Sequence, residues 1–240
     1  MAFPQVVGSQ LSSRASNAID DTVDLPASVA AGDLLLVFHY SDGATTRTFP
    51  GSWVEIKDAT VSGDMASIGV AYLIAAGGET SVVVTKSVTE RFTAIAIRIS
   101  AASWHGTTAP EISTGIQGSS TTPNPDVLNP AGWDIEDTLW IAAMCWDDGA
   151  GTMTVNAYPY ASNNLVSAAV NSAGRGAIAT LESAVASEDP GTFTLSATDQ
   201  WWAGTVAVRP AAAAAATDPA LLHYNLSNQF GQRQVVPVPM

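Results

Sequence analysis

Short runs of alternating and β-branched residues recur along most of this chain, and Gly, Asp, Pro and Ser bound them. This combination is typical of β-strands separated by turns. Before residue 210, no long stretch repeats its apolar residues at the spacing of an amphipathic helix. The pattern therefore predicts an all-β protein, folded as an antiparallel, jelly-roll-like β-sandwich. The runs are 34–38, 68–74, 82–85, 94–99, 139–144, 193–195 and 205–208.

An internal echo indicates that the chain contains two similar halves. Residues 32–43 (GDLLLVFHYSDG) resemble residues 136–149 (EDTLWIAAMCWDDG), because both place a hydrophobic strand between an acidic turn and Asp-Gly. Residues 79–100 resemble residues 190–210 in a single register that extends over two strands and a turn. A lone sheet of four or five strands leaves one apolar face bare, so we expect the halves to pack together.

These patterns divide the chain into three parts. An N-terminal segment, 1–30, precedes the sandwich domain, 31–210, whose halves are about 32–100 and 136–210. Pro210 ends the last predicted strand, and six alanines follow it. We expect residues 211–240 to form an alanine linker and an extended C-terminal arm.

Alternation within the last strand of each half assigns its side chains to two faces. One face carries large apolar residues, which we expect to point into the sandwich. The other carries small residues and one Arg, and we interpret it as solvated surface, with a closely packed neighbour as the alternative. The inward set is Ile95, Ile97, Ile99, Trp202, Val206 and Val208, and the outward set is Ala94, Ala96, Arg98, Ala203, Ala207 and Arg209.

The chain is acidic but poor in charge, with a net charge of −13 and 13% charged residues. Nine basic residues, of which only Lys57 and Lys86 are lysines, argue against nucleic-acid binding, because phosphate contacts need clustered cations. The acidic balance also disfavours anionic membranes. The N-terminus lacks the features of a signal peptide, and Cys145 is the only cysteine, so we expect synthesis in a reducing cytoplasm.

Few residues have a spacing that indicates catalysis or metal binding. The histidines, His39, His105 and His223, form no ligand pair, and no G-x-S-x-G motif is present. Cys145 lies within a predicted strand, which favours a buried structural thiol over a nucleophile. We therefore predict a protein that is not an enzyme, with no catalytic residue, no metal site and no cofactor.

Acidic residues follow two equivalent strands, at Asp42-Gly43 and Asp147-Asp148-Gly149. Both pairs are typical of turns, since Asp and Gly tolerate positive φ. Calcium binding stays open as an alternative, although the D-x-D-x-D-G spacing is missing.

Tryptophans are the most suggestive group of side chains. Adjacent Trp201 and Trp202 must point to opposite faces of one strand, so we expect Trp201 to face away from the core. An exposed indole can stack on a sugar ring or anchor a protein interface. Trp201, Trp104 and Trp146 are our candidates for such a site, with coverage by a loop or by the arm as the alternative.

The C-terminal arm is apolar and lies outside the echoed core, so it packs on its own domain or crosses to a neighbouring molecule. We favour the neighbour, and we predict that the arm docks by burying its apolar side chains in a groove. These interface candidates are Leu221, Leu222, Tyr224, Phe230, Val235, Val236 and Val238.

Five phrases together resemble a known family: residues 32–37 (GDLLLV), 50–53 (PGSW), 70–72 (VAY), 77–79 (GGE) and 205–210 (TVAVRP). They are similar to the accessory virion proteins of tailed bacteriophages and prophages, whose β-sandwich domains serve as decoration or tail appendage pieces. The resemblance implies a virion location and offers no catalytic residue.

The resemblance and the arm lead to one functional expectation. We expect a non-enzymatic virion structural protein, favoured as a capsid decoration, that binds other virion proteins and forms a homo-oligomer. A tail-associated role, or a carbohydrate-binding module for host adsorption, is the alternative.

Overall fold

A computed structural model describes residues 2–61, 63, 66–149, 151–170 and 173–212. Regular structure in these residues consists of β-strands, and no helix among them is long and apolar enough to cross a membrane. The strands are β1 (Val6–Asp24), β2 (Leu34–Asp42), β3 (Arg47–Thr48), β4 (Val54–Thr60), β5 (Ala66–Ile74), β6 (Ser81–Ile99), β7 (Glu111–Ile112), β8 (Ile116–Ser120), β9 (Glu136–Asp148), β10 (Val155–Ala157), β11 (Ser162–Val166), β12 (Ala173–Val185), β13 (Thr194–Leu195) and β14 (Asp199–Val208).

Two antiparallel sheets pack together as a β-sandwich, which confirms the predicted fold class. The first sheet has the strand order β1-β6-β2-β5-β4, and β3 pairs with β6. The second sheet has the order β11-β12-β9-β14-β7, and β8 pairs with β14. A separate ribbon joins β10 to β13.

Each sheet is built from one half of the chain, and the strand order is the same in both. Strands β6, β2, β5 and β4 of the first sheet correspond to β14, β9, β12 and β11 of the second. The edge strand β1 corresponds to the shorter pair β7 and β8, and the β3–β6 pairing corresponds to the β10–β13 ribbon. The internal echo in the sequence therefore reflects two similar structural units.

The assignment of residues 1–30 to a separate N-terminal segment is wrong. Strand β1 covers most of that segment and pairs with β6, from Val6 opposite Ile99 to Asp24 opposite Ser81. The buried backbone groups of β6 need a partner on that side, and β1 supplies it. The sandwich therefore begins at β1.

The core between the sheets is filled by the inward faces of both. The predicted inward residues of β6 and β14 all belong to it. The sheets come close where β12 has glycines: a Cβ on Gly176 would lie 2.0 Å from the Tyr40 ring, and one on Gly174 would lie 2.3 Å from the Ser41 carbonyl oxygen. Thr93 bridges the sheets by donating from its hydroxyl to the Gly174 carbonyl over 2.9 Å.

The outer face of the first sheet is covered by the chain itself, so the interpretation of this face as solvated is wrong. Ala94 and Ala96, in the second half of β6, lie in one buried cluster with Val82 and Val84 from its first half. The first half of β6 thus packs over the outer face of the sheet to which the second half belongs. The small side chains leave room for this cover.

The outer face of the second sheet is covered in the same way. Ala203 and Ala207 of β14 lie in a buried cluster with Phe193 and Leu195, which come from the β13 region. The sequence echo aligns Phe193 with Val82 and Leu195 with Val84, so equivalent residues cover both sheets.

The two ends of the sandwich differ in character. Strands β6 and β14 finish at one end, where Trp104 pairs with Pro210 and the Ala211 amide donates to the Ser103 carbonyl over 3.0 Å. We call this the terminal end. Strands β2 and β9 finish at the opposite end, with Asp42 and with Asp147-Asp148, and we call that the acidic end.

Candidate functional site

Titratable side chains converge beneath the cover of the first sheet, in a group that we call the Asp21 cluster. Its members come from the strands that meet there, β1, β2, β3 and β6. The side chains of Asp21, His39, Arg47 and Lys86 are fully buried, and that of Arg14 is a quarter exposed.

Asp21 is the anion at the centre of this cluster. One of its carboxylate oxygens lies 2.8 Å from His39 Nε2 and 2.9 Å from Lys86 Nζ. The other oxygen pairs with Arg14. Two cations and an imidazole thus share one buried carboxylate, which offsets part of the cost of burying charge.

The hydrogen bonds around His39 determine its protonation. Arg47 Nε donates to His39 Nδ1 over 2.9 Å, so Nδ1 must be unprotonated and Nε2 must carry the hydrogen that is donated to Asp21. Burial lowers the pKa of His39 to about 4, and the charge of Arg47 acts in the same direction against the raising effect of Asp21. The imidazole is therefore neutral near pH 7.

Arg47 links the Asp21 cluster to the sheet beneath it. Its Nη1 donates to Asp58 Oδ1 over 2.9 Å, and its Nη2 donates to the hydroxyls of Ser41 and Ser67 over 2.8 and 2.9 Å. Gly69 makes room for the side chain, since a Cβ there would lie 2.3 Å from Arg47 Cδ.

This arrangement contains an Asp–His pair, but it lacks the geometry of a general base. In hydrolytic triads, the second imidazole nitrogen accepts the proton of a nucleophile. Here that nitrogen, Nδ1, already accepts a hydrogen bond from Arg47. The Asp21 cluster therefore supports a structural role, in which its ion pairs and hydrogen bonds attach the covering strands to the sheet.

The second sheet carries a smaller counterpart. Arg175 Nη1 lies 2.7 Å from Asp148 Oδ2 and donates to the Met153 carbonyl over 2.7 Å. Its guanidinium lies over the Trp146 ring, 5.3 Å from the centroid. A buried arginine thus helps to attach the cover on each outer face.

At the acidic end, carboxyl groups from both sheets lie close enough to affect one another. Burial raises the pKa of Asp147 to about 6, and the charges of Asp199, Asp42 and Asp148 add to this effect. Burial also raises the pKa values of Asp42 and Asp199. In the described part of the chain, no three His, Cys, Asp or Glu side chains are placed together to hold a metal ion.

The expectation of an exposed indole at Trp201, Trp104 or Trp146 is wrong, because all three are buried. Trp201 does point away from the core between the sheets, as predicted, but its indole lies across the neighbouring strand β8, inside the buried outer cluster of the second sheet. A Cβ on Gly118 would be 2.4 Å from the Trp201 ring, and the indole N–H donates to Ser120 Oγ over 3.1 Å. The expected alternative was coverage by a loop or by the arm, whereas in the described residues Trp201 is buried against strand β8 and the outer cluster.

The other two tryptophans are buried for different reasons. Trp104 closes the terminal end and donates from its indole N–H to the Gly32 carbonyl over 2.9 Å. Trp146 lies on the outer face of the second sheet, beneath Arg175.

Cys145 is buried, which confirms the prediction of a structural thiol. It faces the core between the sheets, where burial raises the pKa of its thiol to about 12. His105 Nδ1 lies 2.8 Å from Thr108 Oγ1 in the loop that follows β6. His223 and all the predicted arm residues, Leu221, Leu222, Tyr224, Phe230, Val235, Val236 and Val238, lie outside the described residues.

Trp53 is the tryptophan that remains partly accessible. It lines an open groove of about 470 Å³ together with Pro50, Leu73, Ile74 and Val83. Trp53 is not among the tryptophans that the sequence offered as candidates. Its position in a Pro-Gly-Ser-Trp turn, outside the strand runs, was the available signal.

Comparisons of the chain with models of protein families, with curated proteins and with solved structures found no match.

Removing the central anion of the Asp21 cluster tests its structural role. We expect Asp21→Ala to lower the free energy of unfolding by about 3–5 kcal/mol, because it leaves Arg14 and Lys86 without their buried counter-ion. Asp20→Ala, which removes an exposed neighbouring carboxylate, is the control, and a urea titration measures both. Equal losses in the two variants would contradict a central role for Asp21.

The acidic end makes stability depend on pH. The pKa of Asp147 rises from its ordinary value of 3.8 to about 6 in the folded chain, so its charge disfavours the fold above pH 6, and this contribution is relieved as the pH falls toward 4. Because the side chain is partly exposed, we expect Asp147→Asn to stabilise by only about 1 kcal/mol at pH 7.5, and by less at pH 4.5. Thermal unfolding at both pH values, with exposed Asp24→Asn as the control, measures this; a gain that does not change with pH would contradict it.

Proposed function

We propose that this protein is a non-enzymatic structural protein of a phage particle, favoured as a capsid decoration over a tail component, that binds neighbouring virion proteins. The observation that carries the proposal is that its reactive and cationic side chains are buried or bonded to other residues of the same chain. His39 is bonded through both ring nitrogens, and Cys145 is buried with a raised pKa. These side chains stabilise the fold and are not presented to a substrate.

The lysines follow the same pattern. Lys86 is buried against Asp21, while Lys57 donates to the Thr114 carbonyl and lies 5.4 Å from the centroid of the Trp202 ring. With both lysines engaged internally, the described surface is dominated by neutral and acidic side chains. Such a surface does not compete for nucleic acid, which suits the outside of a DNA-filled particle.

The surface also offers apolar contacts for a protein partner. Ile135, just before β9, is 71% exposed, and Val127 is exposed in the preceding loop. The described chain begins and ends at the terminal end, where the Gln5 amide donates to Ser103 Oγ and the Ala211 amide donates to the Ser103 carbonyl. Residues 213–240 follow from this point, so the proposed docking arm would begin at the terminal end.

Association with particles tests the proposal. We expect the tagged full chain to co-sediment with density-purified particles from the host, at a fixed copy number per particle by quantitative mass spectrometry. Deletion of residues 217–240 should leave a folded protein, with an unchanged circular dichroism spectrum, that no longer incorporates. Absence of the full chain from particles would overturn the virion role, whereas incorporation of the truncated chain would overturn only the docking role of the arm.

Carbohydrate binding is the second candidate function, and the Trp53 groove is the observation that favours it. A partly accessible indole beside an open groove can stack on a sugar ring. We expect a glycan array to retain the protein and Trp53→Ala to lose at least tenfold in affinity, while Val127→Ala, at an exposed apolar site elsewhere, leaves binding unchanged. Failure of the unmodified protein to bind any glycan would remove this candidate.

A further inference from the structure

The two sheets end in four edges, and three of them carry features that hinder pairing with another chain. Natural sheets protect their edges with short strands, bulges and charged residues. Strand β4 has a bulge between Glu55 and Lys57, and it carries charge at both of these positions. Strand β11 is five residues long with an irregular register, and the edge formed by β7 and β8 is split into two short pieces.

Strand β1 differs from these edges in length and regularity. It has 19 residues, and its stretch from Gly8 to Arg14 pairs with β6 without a register shift. In the described part of the chain, no strand pairs with its other side. Residues 8–13 contain no proline and no charge, and Arg14 turns inward to Asp21. This stretch is therefore an unprotected edge.

Leu11, at the centre of this stretch, is 42% exposed although it lies on the inner face of its sheet. It pairs with Ile95, whose side chain is fully buried in the core between the sheets. The apolar core thus reaches the edge of the sandwich at Leu11 and is left partly uncovered there. A further strand along this edge would bury Leu11 and pair with the outward-facing backbone groups of β1, replacing the hydrogen bond that the Gln10 side chain donates to the Leu11 carbonyl.

We propose that Gly8–Arg14 is a self-association edge, on which β1 of a second copy of this chain pairs antiparallel and joins two first sheets into one. The sequence of this edge favours a second copy of the same strand as its partner. A two-fold axis at Leu11 sets Leu11 opposite its own copy, Ser9 opposite Ser13, and Gly8 opposite Arg14. The pairing therefore opposes no like charges and sets the largest side chain against the smallest.

The charge along β1 also selects this register. Its C-terminal part contains Asp20, Asp21 and Asp24, so pairing centred there would bring acidic residues of two copies together. In a chain with a net charge of −13, the uncharged stretch is where a second copy can approach with least repulsion. This inference is independent of the proposed virion role.

A cysteine at the centre of the edge tests the register directly. Residues directly opposite in an antiparallel pair have Cβ atoms about 4.5–5.5 Å apart, close to the reach of a disulfide. The single native cysteine, Cys145, is buried and does not compete. We expect Leu11→Cys in the full chain to form a covalent dimer under mild oxidation at least tenfold faster than Val83→Cys, a control site that is 47% exposed elsewhere on the first sheet.

The unmodified protein supplies the second measurement. We expect multi-angle light scattering to give twice the mass of one chain, and Leu11→Lys to halve that mass, because a charge on the inner face of an edge strand prevents pairing. Val83→Lys should remain dimeric, and circular dichroism checks that both variants are folded. Deletion of residues 213–240 should leave the dimer intact.

Several outcomes would overturn the proposal. They are a monomer at every concentration, equal oxidation rates for the two cysteine variants, and a dimer that survives Leu11→Lys. Loss of the dimer on deletion of residues 213–240 would assign the contact to the C-terminal segment instead. None of these results bears on particle association, so the two proposals fail separately.

Discussion

Both faces of each sheet are apolar, and the rest of the structure depends on burying all four of them. Packing the sheets together buries two faces in one core. The outer faces then need covers, which come from the chain on either side of the central strands. This requirement accounts for the length of β6, whose first half packs over the sheet formed by its second half. It also accounts for the small residues on the outer faces, which make room for the covering side chains.

The covers determine where the charged side chains lie. A cover that includes β1 and β3 brings Asp21 and Arg47 over His39, and the resulting hydrogen bonds replace the water that these groups lose. Most of the described cations are used in such internal contacts, so the net charge of −13 is expressed mainly by acids at turns and at the acidic end. The low lysine content and the burial of cations in ion clusters thus have the same effect, because both leave few positive charges on the surface.

Features that depend on near neighbours in the chain were predictable from the sequence. Alternation assigned Ile95 and Val206 inward correctly, and the echo identified two halves that proved to have the same strand order. The prediction failed for Trp201, whose direction was right but whose exposure was wrong, because the indole is buried against β8, which comes from a distant part of the chain. The Asp21 cluster was missed for the same reason. A histidine inside the apolar run of β2 was the only local sign of it.

The sequence by itself determined the strands, the faces of their side chains and the repetition of the fold, because these follow from spacing between near neighbours. Only the tertiary structure decided which side chains are covered and which polar groups meet. It buried three tryptophans that the sequence offered as candidates for an exposed site, and it left Leu11 partly uncovered on an inner face. Burial and ion pairing depend on contacts between residues far apart in the chain, such as Lys86 with Asp21, and such contacts exist only once both sheets and their covers have closed.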